Sequence, residues 1–256
     1  MRFAYLGSGS RGNSALVQHL GTTLMIDCGF NLTNAQRRLA RLQVSPHDID
    51  AVLVTHEHGD HISGVAALAR RYNMPVWMTA GTRAGWKQTR GVKVKIFNAH
   101  EQFSVGDILV RPYPVPHDAR EPSQFVLDDG QHRIGVLSDA GHVTPHMRES
   151  LNGCHGLMLE CNHDVEMLAN GPYPPALRER VGGDYGHLSN MQAAGLLRSI
   201  DTRQLHQLVI AHISAKNNTN ALAQGAVSQA LGCEPEWAAV ADQEMGMDWR
   251  ECGSWQ

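Results

Sequence analysis

The sequence predicts an α/β fold, because short apolar runs alternate with segments whose apolar residues recur at helical spacing. Hydrophobic residues make up 42% and charged residues 18% of the 256 residues, a globular composition that excludes a disordered chain. No tandem repeat and no low-complexity linker divides the sequence. We therefore expect one domain over residues 1–256, whose halves could be a diverged duplication of strands followed by helices.

Each predicted strand is a short apolar run bounded by turn-forming or polar residues. The runs lie at residues 3–6, 15–18, 24–26, 51–54, 76–78, 93–97, 108–113, 124–127, 134–137, 156–159 and 208–210. Helices are predicted at residues 34–42, 64–70, 191–199 and 221–230. In the first helix Ala35, Leu39 and Leu42 fall on one face, and Pro46 follows its end.

Neither a membrane protein nor a disulfide-rich secreted protein is predicted. No stretch approaches the roughly 18 consecutive apolar residues that a membrane helix needs. The N-terminal residues reach Gly7 and Gly9, which leaves no room for the apolar part of a signal peptide. The five cysteines form no Cys-x-x-Cys pair, so we expect no thiolate zinc site and a reducing, cytoplasmic location.

The densest group among the 15 histidines follows the predicted strand at residues 51–54. His56 and His58 are two residues apart, so in extended backbone they point to the same side. Asp60 and His61 lie where the chain should turn into a helix, and so face a neighbouring point. Because one ion cannot easily take all four side chains from so short a segment, two adjacent ions are predicted. Imidazole and carboxylate ligands favour Zn²⁺ or Mn²⁺, with Fe also compatible.

Three more residues of metal-binding type come directly after predicted strands. They are His117, Asp139 and His212. Loops that follow neighbouring strands gather at one edge of a sheet. We therefore expect these three side chains to join the histidine cluster.

Taken in this order, the motifs resemble those of the metallo-β-lactamase-fold hydrolases over essentially the whole chain. The resemblance implies a four-layer αββα sandwich with the site along one edge. Asp27, after the predicted strand at residues 24–26, matches the buried aspartate that braces the cluster in that superfamily. The implied ligands are His56, His58 and His117 for one ion, Asp60, His61 and His212 for the second, and Asp139 as a bridge.

Several segments narrow the resemblance to the YycJ-like (WalJ) branch, which is associated with 5′→3′ exonuclease activity on DNA. Residues 7–14, Gly-Ser-Gly-Ser-Arg-Gly-Asn-Ser, resemble the opening of that branch. They lack the Gly-Lys-Ser/Thr ending of a P-loop, so no nucleotide cofactor is expected. The other matching segments lie at residues 117–119, 159–162, 186–190 and 212–218. Contacts to substrate are predicted for Gly12, Asn13, Ser14 and Asn217.

His187 is a candidate catalytic acid, although a histidine between Gly186 and Leu188 is more often a helix-entry or core residue. Residues 186–189 resemble the His-Ser-Thr segment of the tRNA 3′-processing ribonucleases, and Glu160 resembles the glutamate of their paired motif. The resemblance implies that His187 protonates the leaving oxygen and that Glu160 orients or charges it. Asp60 is a candidate catalytic residue as well as a candidate metal ligand. His163 could touch substrate, but we expect it to open a helix with Asp164.

The chain departs from two RNA-processing branches of the superfamily. The interval between Asp139 and His212 is too short for the large inserted domain of the β-CASP branch. No long glycine- and proline-rich arm like that of the tRNA 3′-processing enzymes is evident. Both absences count against those specific RNA-processing roles without excluding RNA as a substrate, and the resemblance to the YycJ-like branch favours DNA over RNA.

Charge is uneven along the chain, so the formal net charge of −3 does not exclude a nucleic-acid partner. A basic stretch free of acidic residues runs over residues 62–100. It is either solvated surface or a contact face for a phosphate backbone, and the sequence favours neither. Its basic residues are Arg70, Arg71, Arg83, Lys87, Arg90, Lys93 and Lys95.

The favoured function is a dinuclear-metal phosphodiesterase, most specifically a DNA exonuclease. Two ions about 4 Å apart would lower the pKa of a bridging water and hold the hydroxide in line with phosphorus. One alternative is hydrolysis of a small cyclic phosphodiester, lactone or thioester, which would use the same ligands. Another is a noncatalytic metal-stabilised regulator, which would not need two complete sites.

Overall fold

Two seven-stranded mixed sheets face each other in the structure, a computed structural model that describes residues 1–253. The first sheet has the spatial order β14-β1-β2-β3-β4-β5-β6, and β3 to β6 run parallel. Its strands are β1 (Arg2–Gly7), β2 (Ser14–His19), β3 (Thr22–Ile26), β4 (Ala51–Leu53), β5 (Val76–Met78), β6 (Val94–Ile96) and β14 (Met247–Glu251).

The second sheet has the order β13-β12-β11-β10-β9-β8-β7, and β10 to β13 run parallel. Its strands are β7 (Phe103–Val105), β8 (Ile108–Pro114), β9 (Ser123–Asp128), β10 (Arg133–Leu137), β11 (Gly156–Glu160), β12 (Gln207–Ala211) and β13 (Ala239–Val240). Each sheet therefore has a set of parallel strands whose carboxyl ends lie along one edge.

The helices begin at polar caps that satisfy backbone N–H groups of the first turn. Asn31 caps α1 and Ser189 caps α8. In α8 the backbone N–H of Ser189 donates in return to the side-chain oxygen of Gln192. Short 3₁₀ turns lie at Pro46–Asp48 and Pro235–Trp237. The helices are α1 (Leu32–Arg41), α2 (Gly59–Ile62), α3 (Val65–Tyr72), α4 (Ala80–Gly85), α5 (Pro145–Leu151), α6 (Val165–Asn170), α7 (Pro175–Gly182), α8 (Asn190–Ser199) and α9 (Asn220–Leu231).

Three apolar clusters separate four layers, because alternate strand residues face opposite sides of each sheet. In β1, Ala4 and Leu6 belong to an outer cluster with apolar side chains of α1 and α3. Phe3 and Tyr5 belong to the cluster between the two sheets. A third cluster joins the outer face of the second sheet to α5, α8 and α9. The predicted αββα sandwich is confirmed.

The structure adds short elements that the sequence pattern did not predict. The strands β7, β13 and β14 and the helices α4, α5 and α7 show no clear period in the sequence, whereas only the starts of α2 and α6 were expected. Strand β14 pairs with β1 at the other end of the chain, a contact that no local pattern encodes. None of the helices within residues 1–253 is long and apolar enough to cross a membrane. All five cysteines are free thiols.

The segment between β3 and α1 packs tightly against the first turn of α2. A Cβ on Gly29 would lie 1.8 Å from the carbonyl oxygen of Asp60, and a Cβ on Gly64 would lie 1.7 Å from that of Phe30. The backbone N–H of Cys28 donates to the carbonyl of His61 over 2.8 Å. Glycine is required at both positions, and this packing fixes where α2 begins at the edge of the sheet.

Candidate metal centre and active site

Three charged or ligand-type residues turn the chain sharply at strand ends. Asp27, Asp139 and His212 follow β3, β10 and β12 and have φ of 56°, 55° and 53°. This left-handed conformation is uncommon outside glycine. It reverses the chain at once, so each side chain lies at the edge of its sheet, above the last buried residue of the strand.

The segment after β4 carries four side chains to the same edge. His56 is buried in extended backbone, and His58 is the N-cap residue of α2. Asp60 and His61 lie in the first turn of that helix, as the sequence predicted. The rings of His56 and His58 are 4.6 Å apart between centroids, and those of His56 and His61 are 4.3 Å apart.

Two sets of ligand-type atoms lie side by side at this edge. In each set the candidate ligand atoms lie within 4.8 Å of one another. Nδ1 of His58 is 3.2 Å from Nε2 of His117, and Oδ2 of Asp60 is 3.5 Å from Nε2 of both His61 and His212. The first set is His56, His58 and His117, and the second is Asp60, His61 and His212.

Asp139 lies between the two sets. Its Oδ2 is 3.2 Å from Nε2 of His61, and its Oδ1 is 3.9 Å from Nε2 of His117. Burial disfavours its ionised form, but the surrounding histidines, His212 and His61 foremost, hold its pKa well below the usual range. A carboxylate that faces both sets can bridge two cations.

The donor set fits divalent cations on chemical grounds. Nε2 of His56 is buried and makes no hydrogen bond within residues 1–253. A buried nitrogen lone pair without a donor is costly, and a cation satisfies it. Clustered imidazole and carboxylate groups are the ligands of Zn²⁺, Mn²⁺ and Fe sites rather than of Ca²⁺. The cluster therefore indicates divalent metal binding.

Hydrogen bonds orient the rings so that one nitrogen of each faces the centre. Nδ1 of His61 donates to Oδ2 of Asp27 over 2.8 Å, and Nδ1 of His117 donates to the carbonyl of Gly186 over 3.0 Å. Nδ1 of His212 donates to Oε1 of Glu160 over 3.0 Å. In each ring Nε2 is left as the nitrogen that can bind a cation.

Asp27 lies between the end of β3 and the second set, and its carboxyl group is hydrogen-bonded to both Thr55 and His61. Its Oδ1 accepts the backbone N–H of Thr55, and its Oδ2 also accepts the Thr55 hydroxyl, over 2.8 and 2.7 Å. Burial raises the pKa of Asp27, while His61 lowers it. The carboxylate thus joins the end of β3 to the segment that carries His61.

Glu160 lies beneath His187 at the end of β11. It is fully buried, and its Oε1 accepts the Nδ1 proton of His187 over 2.8 Å. Its Oε2 accepts the backbone N–H groups of Leu188 and Ala140. Burial would raise the pKa of Glu160, but His187 and the hydrogen bonds bring it to about 2. For His187, burial lowers the pKa, and Glu160 and Asp139 raise it above its usual value.

A cavity of about 340 Å³ opens over the second set and His187. Its lining includes His58, His187 and His212 together with Asp60 and Asp139. Nδ1 of His187 lies 3.4 Å from Oδ1 of Asp139, so His187 is adjacent to both ligand sets. The cavity gives a ligand access to all of these groups at once.

The comparisons with known proteins agree with this geometry. The model of the beta-lactamase superfamily domain matches residues 22–213. The chain belongs to the metallo-β-lactamase superfamily.

Within the superfamily it resembles the YycJ and WalJ proteins. It is 33% identical over 235 residues to exodeoxyribonuclease YycJ of Bacillus anthracis, which covers 90% of this chain and 89% of the relative. It is 32% identical over 258 residues to exodeoxyribonuclease WalJ of Streptococcus pneumoniae serotype 2, with coverage of 97% and 92%. The fold matches the metallo-β-lactamase-fold protein YhfI of Bacillus subtilis with a TM-score of 0.75, at 15% identity and coverage of 97% and 98%.

The predicted substrate contacts at the start of the chain lie behind the ligands of this superfamily centre. Gly12, Asn13 and Ser14 are buried, and Nδ2 of Asn13 is 3.3 Å from Oδ2 of Asp60 and 3.2 Å from Nε2 of His61. Their contact with substrate stays a prediction, and the structure places the side-chain amide of Asn13 against Asp60 and His61. Of the same loop, Ser10 lies on the cavity wall.

Two other predicted residues are also buried. Asn217 is fully buried, and its N–H donates to Oγ of Ser214 over 3.2 Å, so Ser214 and not Asn217 lines the cavity. His163 is buried, which lowers its pKa, and Asp164 caps α6 as expected. The sequence did not predict the cavity residues Ser10, Asn162, Tyr173, Arg180, Val181 and Ser214.

Replacing Asp27 by asparagine is expected to weaken metal binding at the second set by about 10- to 100-fold. The neutral amide cannot match the charge of the carboxylate that accepts the His61 proton, while asparagine tolerates the left-handed φ of 56°. Titration against a chelator of known affinity measures the change. Asp201→Asn, at an exposed ion pair with Arg203, is the control. Unchanged affinity in Asp27→Asn would contradict the bracing role.

Proposed function

We propose that the chain is a dinuclear-metal phosphodiesterase, and more specifically a DNA exonuclease that degrades one strand from its 5′ end. The observation that carries the proposal is the pair of ligand sets that share Asp139 beneath a cavity with His187 on its wall. The names of the YycJ and WalJ relatives support a phosphodiester substrate and DNA. We propose a single catalytic domain over residues 1–256, and a cytoplasmic location in keeping with its free thiols.

In this proposal His56, His58 and His117 would hold one ion. Asp60, His61 and His212 would hold the other, and Asp139, which lies between the two sets, would be a shared ligand. Zn²⁺ and Mn²⁺ suit these ligands best, with Fe as a further candidate. When bound, two such ions provide Lewis acidity to a phosphate oxygen and activate water for attack on phosphorus.

The residues of the chain supply the remaining steps. His187 directs Nδ1 to Glu160, which leaves Nε2 to face the cavity and donate a proton to the departing ester oxygen. Glu160 fixes the ring and balances the positive charge on it. Because Glu160 also accepts the Nδ1 proton of His212, it couples the position of the acid to that of a ligand. Asp60 completes the second set and lies on the cavity wall.

The basic stretch supports a nucleic-acid substrate. Of its seven basic side chains, only Arg83 is partly buried, and none forms an ion pair within residues 1–253. The stretch reaches the metal centre through α4, where Gly85 packs against Glu57, the residue between His56 and His58. An unpaired basic surface that begins beside the centre matches a phosphate backbone.

The decisive assay offers 5′- and 3′-end-labelled DNA and RNA, single- and double-stranded, to protein loaded with Zn²⁺ or Mn²⁺. We expect stepwise shortening of DNA from a 5′-phosphorylated end. Cleavage of small cyclic phosphodiesters, lactones or thioesters alone would replace the proposal with a small-molecule hydrolase. The absence of any hydrolysis by fully metallated protein would favour a noncatalytic regulator.

Neutralising part of the basic stretch should make binding of single-stranded DNA less sensitive to salt. For Lys87→Gln/Arg90→Gln we expect the slope of log K against log salt to fall in magnitude by about 1 to 1.5, since each phosphate contact contributes about 0.7. Fluorescence anisotropy of a labelled oligonucleotide measures the slope. Arg148→Gln/Arg198→Gln, on α5 and α8, is a control of equal charge. If Lys87→Gln/Arg90→Gln showed the same slope as Arg148→Gln/Arg198→Gln, the basic stretch would be ruled out as a contact face for DNA.

A further inference from the structure

One side of the cavity is lined by residues that are not of metal-binding type. It is formed by the segment from α6 to α7, Val165–Gly182, which we call the α6–α7 wall. Tyr173 and Arg180 of this wall line the cavity. Its end is held in place because the backbone N–H of His187 donates to the carbonyl of Val181 over 2.9 Å. The wall is therefore fixed relative to the proposed acid.

The guanidinium of Arg180 is held by a hydrogen bond on its Nε side and is open to a ligand on its Nη side. Its Nε donates to Oδ2 of Asp118 over 2.6 Å, and Oδ1 of Asp118 lies 3.5 Å from Nε2 of His117. Its two Nη groups make no hydrogen bond within residues 1–253, and 60% of the side chain is exposed. A guanidinium held through Nε presents its Nη pair as a fork for a phosphate.

Arg180 also differs from the other residues of the cavity in charge. Among the described residues on the cavity wall it is the one lysine or arginine. Hydrogen bonding to Asp118 raises its pKa further, so it keeps its charge. Because metal ions held by the two ligand sets would engage the scissile phosphate, Arg180, which lines the same cavity, suits a neighbouring phosphate of the same strand.

Tyr173 offers a flat aromatic surface on the same wall. It is half-buried, and Nζ of Lys216 lies 5.9 Å from the centre of its ring. Aromatic side chains bind successive bases of single strands by stacking, whatever the base. The cavity volume of about 340 Å³ falls in the range of sites for small organic ligands.

We propose that the α6–α7 wall binds the nucleotide next to the scissile bond, with Arg180 on its phosphate and Tyr173 on its base. The inference rests on the proposed nuclease function and narrows its substrate. In this arrangement one phosphate of the strand would lie at the centre and the next at Arg180, so a ligand with one phosphate, such as a cyclic mononucleotide, would lose one of the two contacts. The preferred substrate is thus an oligonucleotide strand with at least two adjacent phosphates.

The test compares an oligonucleotide with bis(p-nitrophenyl) phosphate, which has a single phosphate and no base. For Arg180→Met we expect kcat/KM on 5′-phosphorylated single-stranded DNA to fall about 10- to 100-fold more than on the small ester, mainly through KM. Arg180→Lys should recover only part, because an ammonium lacks the fork. Arg203→Met is the control, since Arg203 also pairs with an aspartate but on an exposed turn.

Tyr173 is tested in the same way. Tyr173→Ala should raise KM for DNA about tenfold, whereas Tyr173→Phe keeps the ring and should match the wild type. Metal content and thermal melting confirm that each variant is folded and loaded. Equal losses on both substrates in Arg180→Met, or the same loss in Tyr173→Phe as in Tyr173→Ala, would overturn the inference. A wild type inactive on DNA but active on the small ester would instead overturn the proposed function.

Discussion

Asp139→Asn should lose about 10³-fold or more of the phosphodiesterase activity, together with bound metal. The carboxylate of Asp139 lies between the two ligand sets, 3.2 Å from His61 and 3.9 Å from His117. A neutral amide cannot compensate the charge of two adjacent cations. Asparagine adopts the φ of 55° readily, so the fold should be kept. Metal per chain by mass spectrometry and hydrolysis of bis(p-nitrophenyl) phosphate measure the loss.

Asp201→Asn, far from the centre on an exposed turn, should keep two ions per chain and full activity. Circular dichroism and thermal melting establish that Asp139→Asn is folded. An Asp139→Asn protein with two ions per chain and near wild-type hydrolysis would exclude the bridging assignment. Loss of one ion only, with activity retained, would exclude the dinuclear mechanism.

His187→Ala should separate substrates by the quality of their leaving group. A general acid contributes about 10²- to 10⁴-fold, but only where the departing oxygen needs a proton. We expect a loss of that size on DNA, whose leaving group is an alkoxide. On bis(p-nitrophenyl) phosphate we expect less than about a tenfold loss, because nitrophenolate leaves without protonation. Single-turnover rates on both substrates measure the difference.

Glu160→Gln provides the companion variant. It removes the charge behind His187 but keeps one oxygen that can accept a hydrogen bond from Nδ1, so its loss on DNA should be smaller than that of His187→Ala. Because its NH₂ group would face the backbone N–H groups of Leu188 and Ala140, thermal melting must show that the variant is folded. His187 is 3.4 Å from Asp139, so the metal content of both variants must equal that of the wild type. Equal losses of His187→Ala on the two substrates would mean that His187 acts on the metal centre and not as an acid.

The convergence of the metal-binding residue types could be predicted from the sequence because it depends on strand ends. His56, Asp139 and His212 each follow a buried run, and parallel neighbours bring such ends to one edge. The turn of Asp60 and His61 into a helix was also foreseeable from the break after the strand. The four layers follow from alternation within strands, as in β1.

The role of the glycine-rich loop at residues 7–14 could not be predicted, because it depends on packing between distant segments. Asn13 donates its backbone N–H to the carbonyl of Asp60 over 2.7 Å, and Ser8 accepts the N–H of His212 over 2.8 Å. These contacts hold the loop against the ligand-bearing segments, while the contact of Gly12, Asn13 and Ser14 with substrate stays a prediction. The α6–α7 wall was missed for a similar reason, since Tyr173 and Arg180 lie in a stretch without a clear period.

The left-handed turns at Asp27, Asp139 and His212 have a consequence for transplanting this centre into another protein. Aspartate and asparagine adopt that conformation at small cost, whereas histidine at position 212 stores strain that the surrounding packing must hold. If only these three side chains were copied onto regular strand ends of another protein, they would not point to a common centre. A graft must also copy the break in the main chain, and a library built on this scaffold should keep aspartate at positions 27 and 139, because asparagine or glycine would keep the turn but lose the carboxylate.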